Sequence, residues 1–553
     1  MLNKYLEPSK EAKKTPNLDQ DKLNTFLWAS ANILRGAIDS SDYKQYIFGL
    51  MFLKRLSDQF DEDQVHIITK AYDQGLLDKE KGKFLINELN DPKKRFKHTK
   101  IIEQAITEKI IDDELKEKLE DRDNYRYYIP LRARWSEIRK ASEGIGSAID
   151  KASRALEEEN PEKLQDVLTP IQFQDQRKLN DTALQKLLNH YSQAGYELND
   201  ENLEERDILG NAYMYLIDKF ADDAGKKGGE FYTPTGVVKT LVRIMNPQKD
   251  FVICDPACGS GGLLIECVNY LKEKEIDAQN LILHGEEKNV NTWAISKMNM
   301  LFHNIFDSKI VHNDTMTDPI LNEDGKLQLY DLVLANPMWN QKEWNRENFA
   351  KDGDRFGRIL YDLPPANSAD WMWIQHMIAT LRPNGRMGVV LDNGVLFRGG
   401  SEGKIREAVV KADLIEGIIS LPSNLFMNTT SPGTFLIINK QKSPELKNKI
   451  YFLYAENEFE PGKAQNHLGK DNIKKISSIY NEKQIIEKIS NSIEVSEIKE
   501  NGYNLNVSRY LNIAEEEEII DVQQCLSELD EIRTNRKKNE DIFFGNMREL
   551  FND

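Results

Sequence analysis

Four short stretches of this chain place groups that can do chemistry directly after an apolar run. Residues 251–254 lead into Asp255-Pro-Ala-Cys-Gly-Ser-Gly-Gly262, where glycines at 259, 261 and 262 let backbone approach a ligand closely. Such a turn on its own is an ordinary strand-to-helix connection. Glu286 and Glu287 follow the run at 281–284. A carboxylate there, with Glu287 lying 25 positions past Gly262, can accept two vicinal hydroxyls in bidentate fashion. Asp314, in Asn313-Asp314-Thr315, follows the run at 310–312 and can accept from an amino group. Asn336-Pro337-Met338-Trp339 follows the run at 331–335 and brings an amide, a backbone carbonyl and an aromatic ring together.

Ligands of doubly wound sheets bind outside the carboxyl ends of the strands, where all four stretches fall. The elements that must hold them are legible as alternation. Strands are predicted at 251–254, 281–284, 310–312, 331–335, 386–391, 415–421 and 435–438, the earlier ones separated by helical patterns. Seven strands with crossover helices predict an α/β, mostly parallel sheet. Before it the chain reads as helical. Tyr43, Tyr46, Ile47, Leu50 and Met51 share one helix face, continued by Leu53, Leu56 and Phe60. Lys93, Lys94, Arg95, Lys97 and Lys100 form the densest basic patch there, read as a solvated face. Residues 197–205 are acidic and apolar-poor, a predicted hinge. Beyond residue 438 the chain turns polar, and its tail carries Ile519, Val522, Leu526, Leu529 and Ile532 on one narrow stripe. The predicted division is a helical N-terminal domain at 1–195, a catalytic domain at 196–445 and a C-terminal extension with a helical tail at 446–553.

The Asn336-Pro337 pair, followed one residue later by Trp339, resembles the catalytic motif of amino-methyltransferases. Asp255-Pro-Ala-Cys-Gly-Ser-Gly-Gly262 resembles the S-adenosylmethionine loop of adenine-specific DNA enzymes. Leu34-Arg-Gly-Ala-Ile-Asp-Ser-Ser-Asp-Tyr-Lys44 and Phe52-Leu-Lys-Arg-Leu-Ser-Asp58 look like the N-terminal domain of the modification (HsdM-type) subunit of type I restriction-modification systems. So do Tyr128-Ile-Pro130, Arg134-Trp135, Ile145-Gly-Ser-Ala-Ile-Asp150, Phe397-Arg-Gly-Gly-Ser-Glu-Gly-Lys-Ile-Arg406, Leu421-Pro-Ser-Asn-Leu-Phe426 and Tyr503-Asn-Leu-Asn-Val-Ser-Arg-Tyr510. The resemblance spans about residue 28 to 510. It implies a Rossmann-like S-adenosylmethionine-dependent methyltransferase sheet with an antiparallel last strand, and methylation of the exocyclic amine of adenine. It implies a cofactor site of Glu230, Phe231, Tyr232, Thr233, Pro234, Asp255, Ala257, Gly259, Ser260, Gly261, Gly262, Glu287 and Asp314. Glu286 is a rival to Glu287, although the family frame Gly-x-Glu favours Glu287. Asn336, Pro337 and Trp339 would be catalytic: Asn336 and the Pro337 carbonyl accept the amine's hydrogens, and Trp339 stacks on a base flipped out of the duplex. Met338 stands where most adenine enzymes of this kind have a second proline.

A net charge of −17 argues against a chain that grips nucleic acid alone, since that affinity comes mainly from neutralising phosphates. It fits a subunit whose grip on DNA is shared with another chain; the resemblance implies double-stranded DNA, a DNA-specificity subunit, a restriction subunit and a second copy of itself as partners. The tail stripe and the Tyr43–Phe60 face are the two surfaces expected to dock partner helices. No apolar run is long enough to span a bilayer, the first residues form no secretory signal, and a cytoplasmic protein is expected. Four cysteines, with no second Cys/His pair beside Cys254 and Cys258, predict core thiols and no metal. A stand-alone adenine methyltransferase, a protein glutamine methyltransferase and a non-catalytic complex subunit remain as alternatives.

Overall fold

Strands buried on both faces read as near-continuous apolar runs, and the runs that flank the chemistry have that character. In the computed structural model, β1 (Val252–Asp255) is buried throughout and β4 (Tyr330–Ala335) nearly so. Residues 18–35, 43–175, 179–204, 208–224, 233–426, 429–462, 465–511, 513 and 522–550 are described. With β2 (Ile282–Glu287), β3 (Lys309–His312), β5 (Leu381–Asp392), β6 (Ile415–Ser420), β7 (Gly433–Asn439), β8 (Lys449–Tyr454) and β9 (Ser490–Glu494) they form one sheet. Its order is β3-β2-β1-β4-β5-β7-β6-β8-β9. The first five strands run parallel, and β7 is antiparallel to both β5 and β6, as expected for the last of the seven predicted strands.

Nine strands stand where seven were predicted. β8 pairs parallel with β6, and β9 pairs antiparallel with β8. The apolar run Ile450-Tyr-Phe-Leu-Tyr454 fits a buried strand, but it lies in otherwise polar sequence between Pro444 and Pro461. β9 is the polar edge Ser490-Asn-Ser-Ile-Glu494, which carries almost no periodic signal.

The helix Tyr43–Asp73 buries the whole predicted face from Tyr43 to Phe60. That face is core and so is not a docking surface. It packs with the helix Ile208–Ala224 and with Val290–Phe302, the helix after β2. Phe48 stacks on Tyr213 at 3.9 Å, and Phe52 meets Phe302 edge-on at 5.7 Å. The Tyr213 hydroxyl donates to the Ile295 carbonyl at 2.8 Å.

The predicted hinge is tied down. The Leu198 amide donates to Asp58, the Asp200 amide to Gln59 and Glu62, and Arg55 pairs with Asp200. Its acidic residues thus line the helix Tyr43–Asp73; residues 205–207 lie outside the described set. Within the basic patch, Arg95 is half-buried against Glu197 and the Gln193 carbonyl rather than solvated. No described helix is long and apolar enough to cross a membrane.

Candidate functional site

β1 delivers Asp255 into a turn that needs glycine. Gly259 and Gly261 have φ of +54° and +82°, and a Cβ on Gly261 would sit 2.8 Å from the Met300 side chain. No side chain caps the helix Gly262–Glu273 that follows, so its first amides face the loop without an internal acceptor. Asp255 accepts the Ala257 amide at 3.0 Å. Burial lifts its carboxyl to about 8, the Ala257 amide opposing the rise and the Glu287 charge adding to it. Ser260 is buried, and its carbonyl accepts from Asn299 at 2.8 Å.

Side chains alternate along β2, so Glu286 and Glu287 part company. Glu287 turns to the glycine loop, taking the Gly259 amide at 3.1 Å and the Asn289 amide at 2.7 Å. Glu286 turns away and accepts from Asn313 at 3.1 Å and from the Ile320 amide at 3.2 Å. Burial raises both carboxyls, Glu286 to about 8. Asp314, at the end of β3, pairs with Lys288 at 2.7 Å and caps the Met316 amide. The neighbouring Thr315 hydroxyl donates to the Pro256 carbonyl at 2.7 Å and ties this loop to the glycine loop.

The third group sits at the end of β4. Asn336 Nδ2 donates to Thr233 Oγ1 at 2.8 Å, and Trp339 Nε1 donates to Asn336 Oδ1 at 3.0 Å. An indole N–H only donates, so the amide oxygen must face Trp339 and the amide NH2 must face Thr233. Trp339 also donates to the Val390 carbonyl and packs against the core on both sides of the sheet. Pro337 is buried, whereas Met338 is 56% exposed.

Thr233, expected to touch a cofactor, reaches the Asn336 amide. Pro234 is the N-cap of the helix Thr235–Met245. Glu230, Phe231 and Tyr232 lie outside the described residues.

Sequence reasoning missed several members of this group. Phe426 meets Trp339 edge-on, ring centroids 4.6 Å apart. Gly433 leaves room for that pair, since a Cβ there would come within 3.0 Å of both rings. Phe426 was visible only as part of a family-like string; nothing in its spacing points to Trp339. Asn340, Asp370 and Arg398 surround the far end of the Asn336 turn, and they too are brought together only by the fold.

Known proteins resemble this chain along nearly its whole length. A family model described as the HsdM N-terminal domain matches residues 23–191, and one described as N-6 DNA methylase matches residues 204–519. The methylase subunit of the type I restriction enzyme MjaVIII of Methanocaldococcus jannaschii is 32% identical, over 97% of this chain and 86% of that one. The MpnII methylase subunit of Mycoplasma pneumoniae is 28% identical, over 92% and 93%. The crystal structure of a type I restriction-modification methyltransferase subunit from Streptococcus thermophilus matches with a TM-score of 0.71. That match has 28% identity and covers 89% of this chain and all of the other.

Proposed function

Because the chain belongs to the N-6 DNA methylases, as a methylase subunit of a type I restriction-modification system, we propose that it methylates the exocyclic amine of adenine in double-stranded DNA, with S-adenosylmethionine as donor. The observation that carries this reading is the orientation of the Asn336 amide, whose oxygen is fixed by the Trp339 N–H and whose NH2 is occupied by Thr233.

Adenine's amine is a poor nucleophile because its lone pair is delocalised into the ring. An amide oxygen and the Pro337 carbonyl that accept its hydrogens favour a pyramidal nitrogen, an interaction stronger in the transition state than before it. Asn336 Oδ1 keeps a second lone pair for this beside the Trp339 bond. No strong base is needed, which suits an asparagine. Trp339 and Phe426 offer apolar surface for a base taken out of the duplex.

The residues present fit the cofactor. Asp255, Glu287 and the loop Gly259–Gly262 would hold it, with Asp314 for its adenine amine and Glu287 for its ribose. When bound, it supplies an electrophilic methyl on a sulfonium. Acceptor oxygens on Asp255, Glu287 and Asp314 suit hydroxyl and amino groups, and the free amides of the uncapped helix start suit a ligand's carboxylate. Glu287→Ala is expected to weaken cofactor binding by about 1.5–3 kcal/mol, the scale of hydrogen bonds to a charged group. Calorimetry on a folded variant with unchanged affinity would move the ribose contact elsewhere.

The partners are those the family implies, and the charge fits them. With a net −17, the chain shares its DNA with a specificity subunit, and the complex further holds a second copy and a restriction subunit. In this reading residues 1–195 help close two copies round the duplex, 196–445 carry the chemistry and 446–553 dock the specificity subunit. Tritium transfer from labelled cofactor is the test. Label should enter DNA when the specificity chain is present and hardly at all without it. Label in protein would favour a glutamine methyltransferase, label in one DNA sequence with the single chain a stand-alone enzyme, and no label a non-catalytic subunit.

A further inference from the structure

The turn Asn336–Trp339 ends on Asn340, a non-glycine residue at φ +52°. Asparagine is among the few non-glycine residues that adopt this conformation readily, and surrounding contacts fix it here. Two contacts do so. The Asn340 amide donates to Asp370 Oδ1 at 2.8 Å, and Asn340 Oδ1 accepts from Arg398 Nη1 at 2.6 Å. Arg398 also reaches the other oxygen of Asp370, at 2.5 Å, Glu402 at 2.7 Å and Asp392 at 3.2 Å. Asp370 and Glu402 are 0% and 3% exposed.

These carboxylates come from separate elements: Asp370 opens the helix Asp370–Ala379, Asp392 ends β5 and Glu402 lies in Gly400–Lys411. Three converging carboxylates hold one guanidinium in place, and a planar fork of five donors has a direction left over for Asn340. A lysine in its place could not span these acceptors at once.

We propose that Arg398 is a positioning residue for methyl transfer, acting through Asn340 to hold the turn that carries Asn336, Pro337 and Trp339. The inference rests on the function proposed above. An ion cluster that served folding alone would have no need of the Asn340 side chain. A turn held this way keeps the Asn336 oxygen within the few tenths of an ångström that transition-state acceptance demands.

The test uses two variants that both tolerate a positive φ, Asn340→Gly and Asn340→Asp. Each is purified in the complex and given plasmid DNA from a strain without adenine methylation. N340G loses the acceptor for Arg398, and its single-turnover methylation is expected to slow about tenfold or more. Its cofactor affinity and melting temperature should stay those of the wild type. N340D keeps an acceptor and should retain a rate close to wild type. The inference is overturned if N340G methylates at the wild-type rate, if both variants slow equally, or if N340G loses cofactor affinity or melts early. A wild-type complex that puts no label into DNA overturns the functional reading itself, a result separate from any of these.

Discussion

Asn336→Ala is expected to slow methyl transfer on the order of a hundredfold or more while leaving cofactor affinity nearly unchanged. The Asn336 amide touches neither the glycine loop nor Glu287, and its described partners are Thr233 and Trp339. Truncation removes the acceptor aimed at the target amine and leaves the cofactor's carboxylates in place. It also frees the Thr233 hydroxyl and one acceptor of the Trp339 N–H, which retains the Val390 carbonyl. The tryptophan thus stays seated, and the loss falls on the chemical step. Single-turnover kinetics beside cofactor calorimetry separate the two effects. A variant that methylates at the normal rate sinks the assigned role of Asn336.

Removing the chain from Glu515 onward should abolish assembly with the specificity subunit and leave cofactor binding intact. The helix Val522–Leu550 is exposed at every described residue from 529 to 540, with Leu529 47% and Ile532 66% exposed. Ile542, Phe543 and Phe544 are exposed further along. The helix is therefore apolar near both ends of its described surface and charged between them, a pattern suited to lying against partner helices. Of the predicted stripe, Ile519 lies outside the described residues. The cut spares the described core, because Tyr510 and Leu511 are the last buried residues among those described and Tyr510 packs on Phe452 at 4.6 Å. Co-purification of the shortened chain with its partner at full yield would place the docking surface elsewhere.

Seven of the nine described strands were legible because strands covered on both faces are written as apolar runs. β8 escaped because its run sits in a polar neighbourhood, and β9 because an edge strand needs no apolar face. That Glu286 and Glu287 have different partners was hidden while the second strand was predicted to end at residue 284. Carried on to Glu287, period-2 alternation sends the two carboxylates to opposite sides. The link from Thr233 to Asn336 and the cluster round Arg398 were not legible at all. They join residues 103 and 58 positions apart, for Thr233 to Asn336 and Asn340 to Arg398, and no local pattern encodes such a contact. The face from Tyr43 to Phe60 misled in a different way: its periodicity marks burial, and only the fold says against what.

Ile295, Met298 and Phe302 belong to the same apolar core as Phe48 and Phe52, yet their helix begins three residues after Glu287. This shared core predicts that the helical half and the ligand-binding end of the sheet open as one cooperative unit rather than as two independent ones. Free energy gained when the glycine loop takes its ligand is shared with helices that never touch that ligand. Amide protection along Tyr43–Asp73 is then expected to rise with occupancy of the loop, and a cavity cut at Phe52 to lower protection round the loop.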